Sequence, residues 1–362
     1  MKKKVLFLAL MVLTICAFAA CGKKDDAEKT EASKTEAKTE APKKTEAPAT
    51  EAPTTEAPKT EAPATEAPKT EAPAKEEDEE DYTTGDASLD NPRNQDEIGE
   101  NEILIVSFGT SYNDSRRLNI GGIEEAVEKA FPDWSVRRAF TSTIIIKHVK
   151  DRDGEVIDNI DEALERAVKN NVKKLVVQPT HLMKGIEYEE LIDAVAKYSD
   201  SFEKIVVGEP LLSSDEDFEK VAKIVSDDLK DENNEKTAIC FMGHGTEHQS
   251  NACYSKMQET FRGMGLNNFY VGTVEAEPSF QDVIDEVKAE GKYENVILKP
   301  LMVVAGDHAN NDMAGDEDDS WMSLFADEGF EVEAIITGLG MMPEIQEIYV
   351  EHINAAMEQI KD

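Results

Sequence analysis

Cysteine is scarce in this chain, and its placement narrows the fold. Four cysteines occur in 362 residues. Cys16 and Cys21 lie near the start, which leaves Cys240 and Cys253 for a folded domain, with no CxxC spacing. A zinc ribbon, an iron–sulfur site and a disulfide-dense scaffold are thereby excluded. Cys240 also sits inside the apolar run Ala238–Met242, which reads as a buried strand and argues against a Cys240–Cys253 bridge. Basic residues are equally short: 39 Lys and Arg face 76 Asp and Glu, a formal charge of −37. Phosphate backbones are gripped by basic clusters, so a nucleic-acid partner is excluded. The acidity itself reads as solvated surface. Glycine-rich phosphate loops are missing too. Gly109 and Gly245 stand in single-glycine loops, and neither belongs to a GxGxxG or Walker pattern. One long apolar run exists, Val5 to Ala20 broken by Thr14. It is shorter than the roughly 20 residues of a membrane span.

That run has another reading. Three lysines precede it, and it ends in Phe18-Ala19-Ala20-Cys21-Gly22. A basic start, a short apolar core and small residues before a cleavage point make a secretory signal, expected over residues 1–20. Its end resembles a bacterial lipoprotein box, which implies lipidation of Cys21 and a protein held by acyl chains on the outer face of a membrane. A Thr-Glu-Ala-Pro unit then recurs, as in Thr45–Pro48 and Thr60–Pro63. Frequent proline blocks helix, and residues 23–97 hold almost no large apolar side chain. Residues 21–99 are therefore expected to be the lipidated cysteine and a disordered tether.

Glu100 to Asp362 is long enough for one large α/β domain or two small ones. Short apolar runs at Ile103–Val106, Val136–Phe140, Leu175–Val177 and Ile205–Val207 alternate with helical patterns at Ile123–Ala130, Ile157–Val168 and Tyr188–Tyr198. The pattern restarts at Ala238–Met242, with further strands at Asn268–Val274, Val296–Leu298 and Val332–Thr337, and helix Pro343–Ile360 at the end. Such alternation predicts α/β architecture with parallel sheets. The halves align: Phe108-Gly109-Thr110 with His244-Gly245-Thr246, Val176–Pro179 with Ile297–Pro300. Two similar lobes follow, residues 100–215 and 216–362, with a ligand cleft where the carboxyl ends of the strands face each other.

Six histidines are distributed unevenly over that plan. His244 ends the first strand of the second half, Glu275 and Glu277 end the next, and His308 ends the third. Parallel strands bring these ends to one edge. Two imidazoles and a carboxylate there make a divalent-metal site with open positions. The first half has Phe108 where the second has His244. His248 stands four residues after His244 without forming HExxH, and is expected behind the site or on the surface. His181 ends a strand in the first half and is a candidate to line the same cleft. His148 and His352 are expected on helix surfaces.

Gly243-His244-Gly245, Thr273-Val274-Glu275 and the long segment Ala305-Gly306-Asp307-His308-Ala309-Asn310-Asn311-Asp312-Met313-Ala314-Gly315-Asp316 resemble the anaerobic sirohydrochlorin cobaltochelatases, class II tetrapyrrole chelatases. Phe140-Thr141-Ser142 and Arg152-Asp153-Gly154 resemble the family's first half, and the similarity runs from Ile103 to Glu358. The resemblance implies two lobes around a macrocycle cleft, and a lyase that inserts Co²⁺ into sirohydrochlorin without ATP in anaerobic cobalamin biosynthesis. It implies His244, Glu275 and His308 as metal ligands and His244 as proton acceptor. The metal is then a substrate, with Fe²⁺ and Ni²⁺ as further candidates; a homo-oligomer stays open. Export of a corrin-pathway enzyme is unexpected, so two other readings stand beside it. One is a surface haem, tetrapyrrole or metal-binding lipoprotein for uptake, with His181 as the candidate haem or tetrapyrrole contact; the other is a solute receptor feeding a transporter.

Overall fold

Strand β1 (Asn101–Ser107) is buried over all but its first residue. Its Ile103-Leu104-Ile105-Val106 core points side chains to both faces, as in a parallel sheet covered twice. The computed structural model describes residues 85–361. The expected signal peptide, Cys21 and the repeat lie outside the described residues. From β1 the chain runs through α1 (Asn113–Ser115), α2 (Gly121–Ala130), β2 (Ser135–Phe140), α3 (Thr143–Asp153), α4 (Ile160–Lys169), β3 (Lys174–Pro179), α5 (Ile186–Lys197) and β4 (Lys204–Val207). After α6 (Asp215–Asp228) come β5 (Thr237–Gly243), α7 (Ala252–Gly263), β6 (Phe269–Thr273), α8 (Phe280–Glu290), β7 (Asn295–Pro300), α9 (Trp321–Asp327), β8 (Glu331–Ala334) and α10 (Pro343–Glu358). Both sheets are four-stranded and parallel, ordered β2-β1-β3-β4 and β6-β5-β7-β8.

The expected duplication reaches down to single hydrogen bonds. Thr141 and Ser142 amides donate to the carbonyls of Ser107 and Phe108 at 2.9 and 3.2 Å. Val274 and Glu275 amides donate to Gly243 and His244 at 3.0 and 2.9 Å. Thr180 donates to Val106, and Leu301 to Met242, both at 2.8 Å. So Phe108 stands for His244, and Ser142 for Glu275. Gly109 and Gly245 both hold left-handed backbone, φ +103° and +88°. A Cβ on Gly109 would enter the Phe140 ring, and one on Gly245 would strike the Ala276 amide.

Three apolar layers hold the unit together. One cluster lies outside the first sheet, with Leu104, Leu164, Val177 and Leu191. Another lies outside the second, with Cys240, Ile284, Leu298 and Phe325. A third joins the halves, from Ile103 and Val176 to Phe241 and Ile353. Helix α10, although the last element, packs on α2 and β3 of the first half. The Tyr349 hydroxyl donates to the Thr180 carbonyl at 2.9 Å. The lobes are thus locked by an exchanged helix. Cys240 and Cys253 are buried and free. Among the described residues no helix is long and apolar enough to cross a membrane.

The described fold includes residues before 99, the expected end of the tether. The Asp90 carboxylate accepts from Arg116 Nε at 2.7 Å and from Arg138 Nη1 at 2.6 Å, with both guanidinium groups fully buried. Arg93 Nε donates to Glu124 at 2.9 Å. Residues 93–95 also cover the open edge of β2: Arg138 N donates to the Arg93 carbonyl at 3.2 Å, and Gln95 Nε2 to Val136 at 3.1 Å. Polar composition hid this segment, because it is held by ion pairs and edge hydrogen bonds rather than apolar burial. Helix α3 is a second departure. Its Thr143-Ile144-Ile145-Ile146 start is β-branched and weakens the helical signal. The Ser142 side chain caps it, accepting from the Ile145 amide, and Gly154 ends it at φ +72°.

Candidate metal centre

Three strand ends of the second sheet supply the site. Tight turns after β5 and β6 set the first two side chains: the Glu275 amide donates to the His244 carbonyl at 2.9 Å, so one backbone bond ties the two residues together. His308 stands after β7, at the start of a helical turn that runs on through Ala309–Met313. His244, Glu275 and His308 offer one donor atom each, all within 4.8 Å of one another. The two imidazoles meet edge to face, with centroids 4.6 Å apart and planes at 89°. Donors bound to one ion at about 2.1 Å lie no more than about 4.2 Å apart. Three donors within 4.8 Å of one another, two of them on exposed side chains, form an open cluster on the scale of one ion's ligand shell.

Hydrogen bonds fix which nitrogen each imidazole presents. His308 Nδ1 lies 2.7 Å from Asp312 Oδ2. The ring donates there and keeps its Nε2 lone pair for a metal. His244 Nδ1 is 2.8 Å from the Gly245 carbonyl and 3.5 Å from Glu275 Oε2. A carbonyl oxygen accepts only, so Nδ1 carries the proton and Nε2 is the free base. His244 and Glu275 are exposed and His308 half-buried, so a large ligand can reach them from the open side.

Glu277, the other acid weighed at this strand end, is not in the cluster. Its carboxylate accepts from the Ser279 amide at 3.1 Å instead. His248 is turned away as well. Its Nδ1 accepts from the Ser250 amide at 3.2 Å, which caps the turn Gln249–Asn251, and its Nε2 lies 3.5 Å from Glu189 of the first half. His352 is more enclosed than a helix-surface residue. Nδ1 meets the Glu209 carbonyl at 3.0 Å and Nε2 meets Asp217 at 3.2 Å, which fastens α10. His148, half-buried on α3, takes no part in the cluster.

His181 follows β3, as expected, but both ring nitrogens are sealed from solvent without a hydrogen-bond partner. Burial depresses its pKa to about 4, against a small opposing pull from Glu187. The ring is thus neutral at pH 7, and a ligand reaches it only if the 181–185 loop shifts. Asp312 is the residue that motif reading passed over. Its signal was the four-residue spacing from His308, which stacks two side chains on one helical face.

A family model described as "Cobalt chelatase (CbiK)" matches residues 101–358. The sirohydrochlorin cobaltochelatase of Salmonella typhimurium is 35% identical over 255 residues, 70% of this chain and 96% of the relative. The sirohydrochlorin cobaltochelatase CbiKC of Nitratidesulfovibrio vulgaris is 29% identical over 262 residues, 72% of this chain and 92% of the relative. Among solved structures, SirB from Bacillus subtilis with Fe³⁺ shares the fold at a TM-score of 0.53 and 15% identity, covering 73% of this chain and 98% of that one. With two duplicated lobes and an open His-Glu-His cluster at their strand ends, the chain belongs to the cobalt chelatase (CbiK) family.

Proposed function

We propose that this protein inserts Co²⁺ into sirohydrochlorin without nucleotide hydrolysis, with the metal entering as a substrate. The observation that carries this reading is the open cluster of His244, Glu275 and His308 in a chain of this family. Insertion removes two pyrrole N–H protons while a hydrated ion exchanges water for ring nitrogens. Two neutral imidazoles and one carboxylate hold a divalent ion weakly enough to hand it on. His244 Nε2 serves in turn as ligand and as proton acceptor: its Nδ1 proton is committed to Gly245, so its one free lone pair takes a pyrrole proton only once it has released the ion. Asp312 orients His308. Fe²⁺ and Ni²⁺ suit the same donors. Lipidation at Cys21 would place this chemistry outside the cytoplasm at the membrane. That placement supports a second reading, in which the domain captures haem or another tetrapyrrole at the surface and His181 swings out to meet it.

Anaerobic absorbance assays with sirohydrochlorin and Co²⁺ separate the two. The wild type is expected to exceed spontaneous insertion, and His244→Ala to lose roughly 10²–10⁴-fold. A wild type no faster than the uncatalysed reaction with Co²⁺, Fe²⁺ or Ni²⁺ would leave only the binding reading. An unimpaired His244→Ala would remove His244 as proton acceptor.

A further inference from the structure

The two halves match in backbone at the site but differ in side chain. At the two positions that bear His244 and Glu275, the first half has Phe108 and Ser142, matched bond for bond. Phe108 is the one aromatic ring among the exposed large apolar side chains of the described residues, at 48% exposure. An exposed phenyl ring at a matched strand end, on a loop built this tightly, calls for a partner in the cleft.

The backbone around Phe108 is fixed on every side. The Ser107 hydroxyl is 2.7 Å from the Thr180 hydroxyl. The Ser107 and Phe108 carbonyls accept from Thr141 and Ser142 at 2.9 and 3.2 Å. Gly109 takes φ +103° with its α-carbon against the Phe140 ring. The loop also reaches the metal-bearing half: Gly306 approaches Thr110, and the Ser115 hydroxyl donates to the Ala305 carbonyl, three residues before His308. Phe108 thus stands two residues before Thr110, which approaches the loop that carries His308, and its own ring is left half exposed.

We infer that Phe108 is the positioning residue that packs flat against the face of the tetrapyrrole opposite the metal. This inference rests on the chelatase reading and deepens it. A planar macrocycle must be pressed toward the ion from behind, and the group behind it must not compete for the ion. A phenyl ring meets both needs: it has a π face for stacking and no donor atom. A second histidine at the duplicated position would offer a competing ligand on the product side. The asymmetry between the halves then has a chemical cause, with metal delivered from the second lobe and the macrocycle backed by the first. Ser142, in the place of Glu275, is committed to capping α3 and adds no negative charge against a substrate rich in carboxylates.

The test uses the intact domain with its arm, sirohydrochlorin and Co²⁺. Binding of metal-free sirohydrochlorin is read by its absorbance change, and insertion by steady-state rates with each substrate varied. Phe108→Ala is expected to weaken sirohydrochlorin binding and raise its KM by roughly ten-fold, with the KM for Co²⁺ unchanged. Phe108→Tyr is expected to restore most of the loss, because the stacking face returns. Thermal unfolding of both variants checks the fold. An active wild type with Phe108→Ala equal to it, or with only the Co²⁺ KM altered, would overturn the inference and leave the chelatase reading standing. A wild type that fails to exceed spontaneous insertion overturns both.

Discussion

Asp312 lies outside the His244, Glu275 and His308 cluster and still bears on the proposed metal chemistry through His308. Its carboxylate lies 2.7 Å from His308 Nδ1, so it sets both the tautomer and the tilt of that ring. Replacing it with Asn keeps size and removes the charge. Partners of this kind are worth roughly 10–100-fold in metal affinity or activity. Asp312→Asn is therefore expected to raise the KM for Co²⁺ within that range while sirohydrochlorin binding stays unchanged. Isothermal titration with Co²⁺ and steady-state rates check it, and an unchanged Co²⁺ affinity would reduce Asp312 to a loop residue. His248 is the contrasting case. It shares the His244 loop, but its ring is spent on a turn cap and on Glu189. Proximity in sequence to a ligand did not make it one.

Two buried ionisable groups at opposite ends of the first sheet's central strands pull stability in opposite directions. Glu102, on β1, has its pKa raised to about 7 by burial, with the Arg137 charge and hydrogen bond opposing the rise. A carboxyl that binds its proton more tightly when folded contributes most below its unfolded pKa, and that contribution is lost as pH rises from about 4.5 toward 7. His181, after β3, is held down to about 4 by burial. Its folded form resists protonation, so its cost appears as pH falls from about 6.5 toward 4. The windows overlap and the slopes oppose, each on the order of 3 kcal/mol at most. Asp90 lies outside this window. Burial would raise its carboxyl, but Arg138 and Arg116 outweigh burial and keep it below the usual range. Urea midpoints between pH 4.5 and 6.5 are expected to fall with acid more steeply in Glu102→Gln than in the wild type. In His181→Leu they are expected to rise with acid relative to the wild type. Parallel pH profiles for all three would show that neither group titrates abnormally. The sequence made the elements themselves legible, because β1, β3, β5 and β7 are continuous apolar runs and only a doubly covered parallel strand reads that way. It also placed His244, Glu275 and His308 at one edge, since strand ends need only the correct strand. It showed α3 only as the helical setting of His148 and not as an element with bounds, because its isoleucines weaken the helical signal. Nor could it show the burial of His181, which depends on how the 181–185 loop lies against the second lobe.

At the scale of the whole molecule, the segment before the first lobe decides where the domain begins. Composition alone put the border at residue 99, because the segment before it lacks apolar side chains. Charge moves the border back. Asp90 pairs with two guanidinium groups that have no exposure, and Arg93 is 4% exposed against Glu124. Removing one partner of a buried ion network leaves the others uncompensated, at a cost of about 3–5 kcal/mol. Deleting residues 22–84 is expected to leave the thermal midpoint of the domain unchanged, since that stretch is too polar to offset its own ordering entropy. Deleting residues 22–97 is expected to lower it sharply, and Asp90→Ala alone to lower it by part of that amount. Equal midpoints for the two deletions would show that the arm rests on the lobe without stabilising it. The same border decides what an anchor can do. If Cys21 carries lipid, Cys21→Ser releases the protein from sedimented membranes, and mass spectrometry of the extracted wild type finds acyl chains on that residue. An unmodified wild type in the soluble fraction would refute the anchor. The folded arm then also has a mechanical meaning. In a lipidated protein, tension along the chain would meet the first lobe at Asp90 and Arg93, against its edge strand β2, while His244, Glu275 and His308 all follow strands of the second sheet. Motion of such an anchor would in this way be kept off the three side chains on which the proposed chemistry depends.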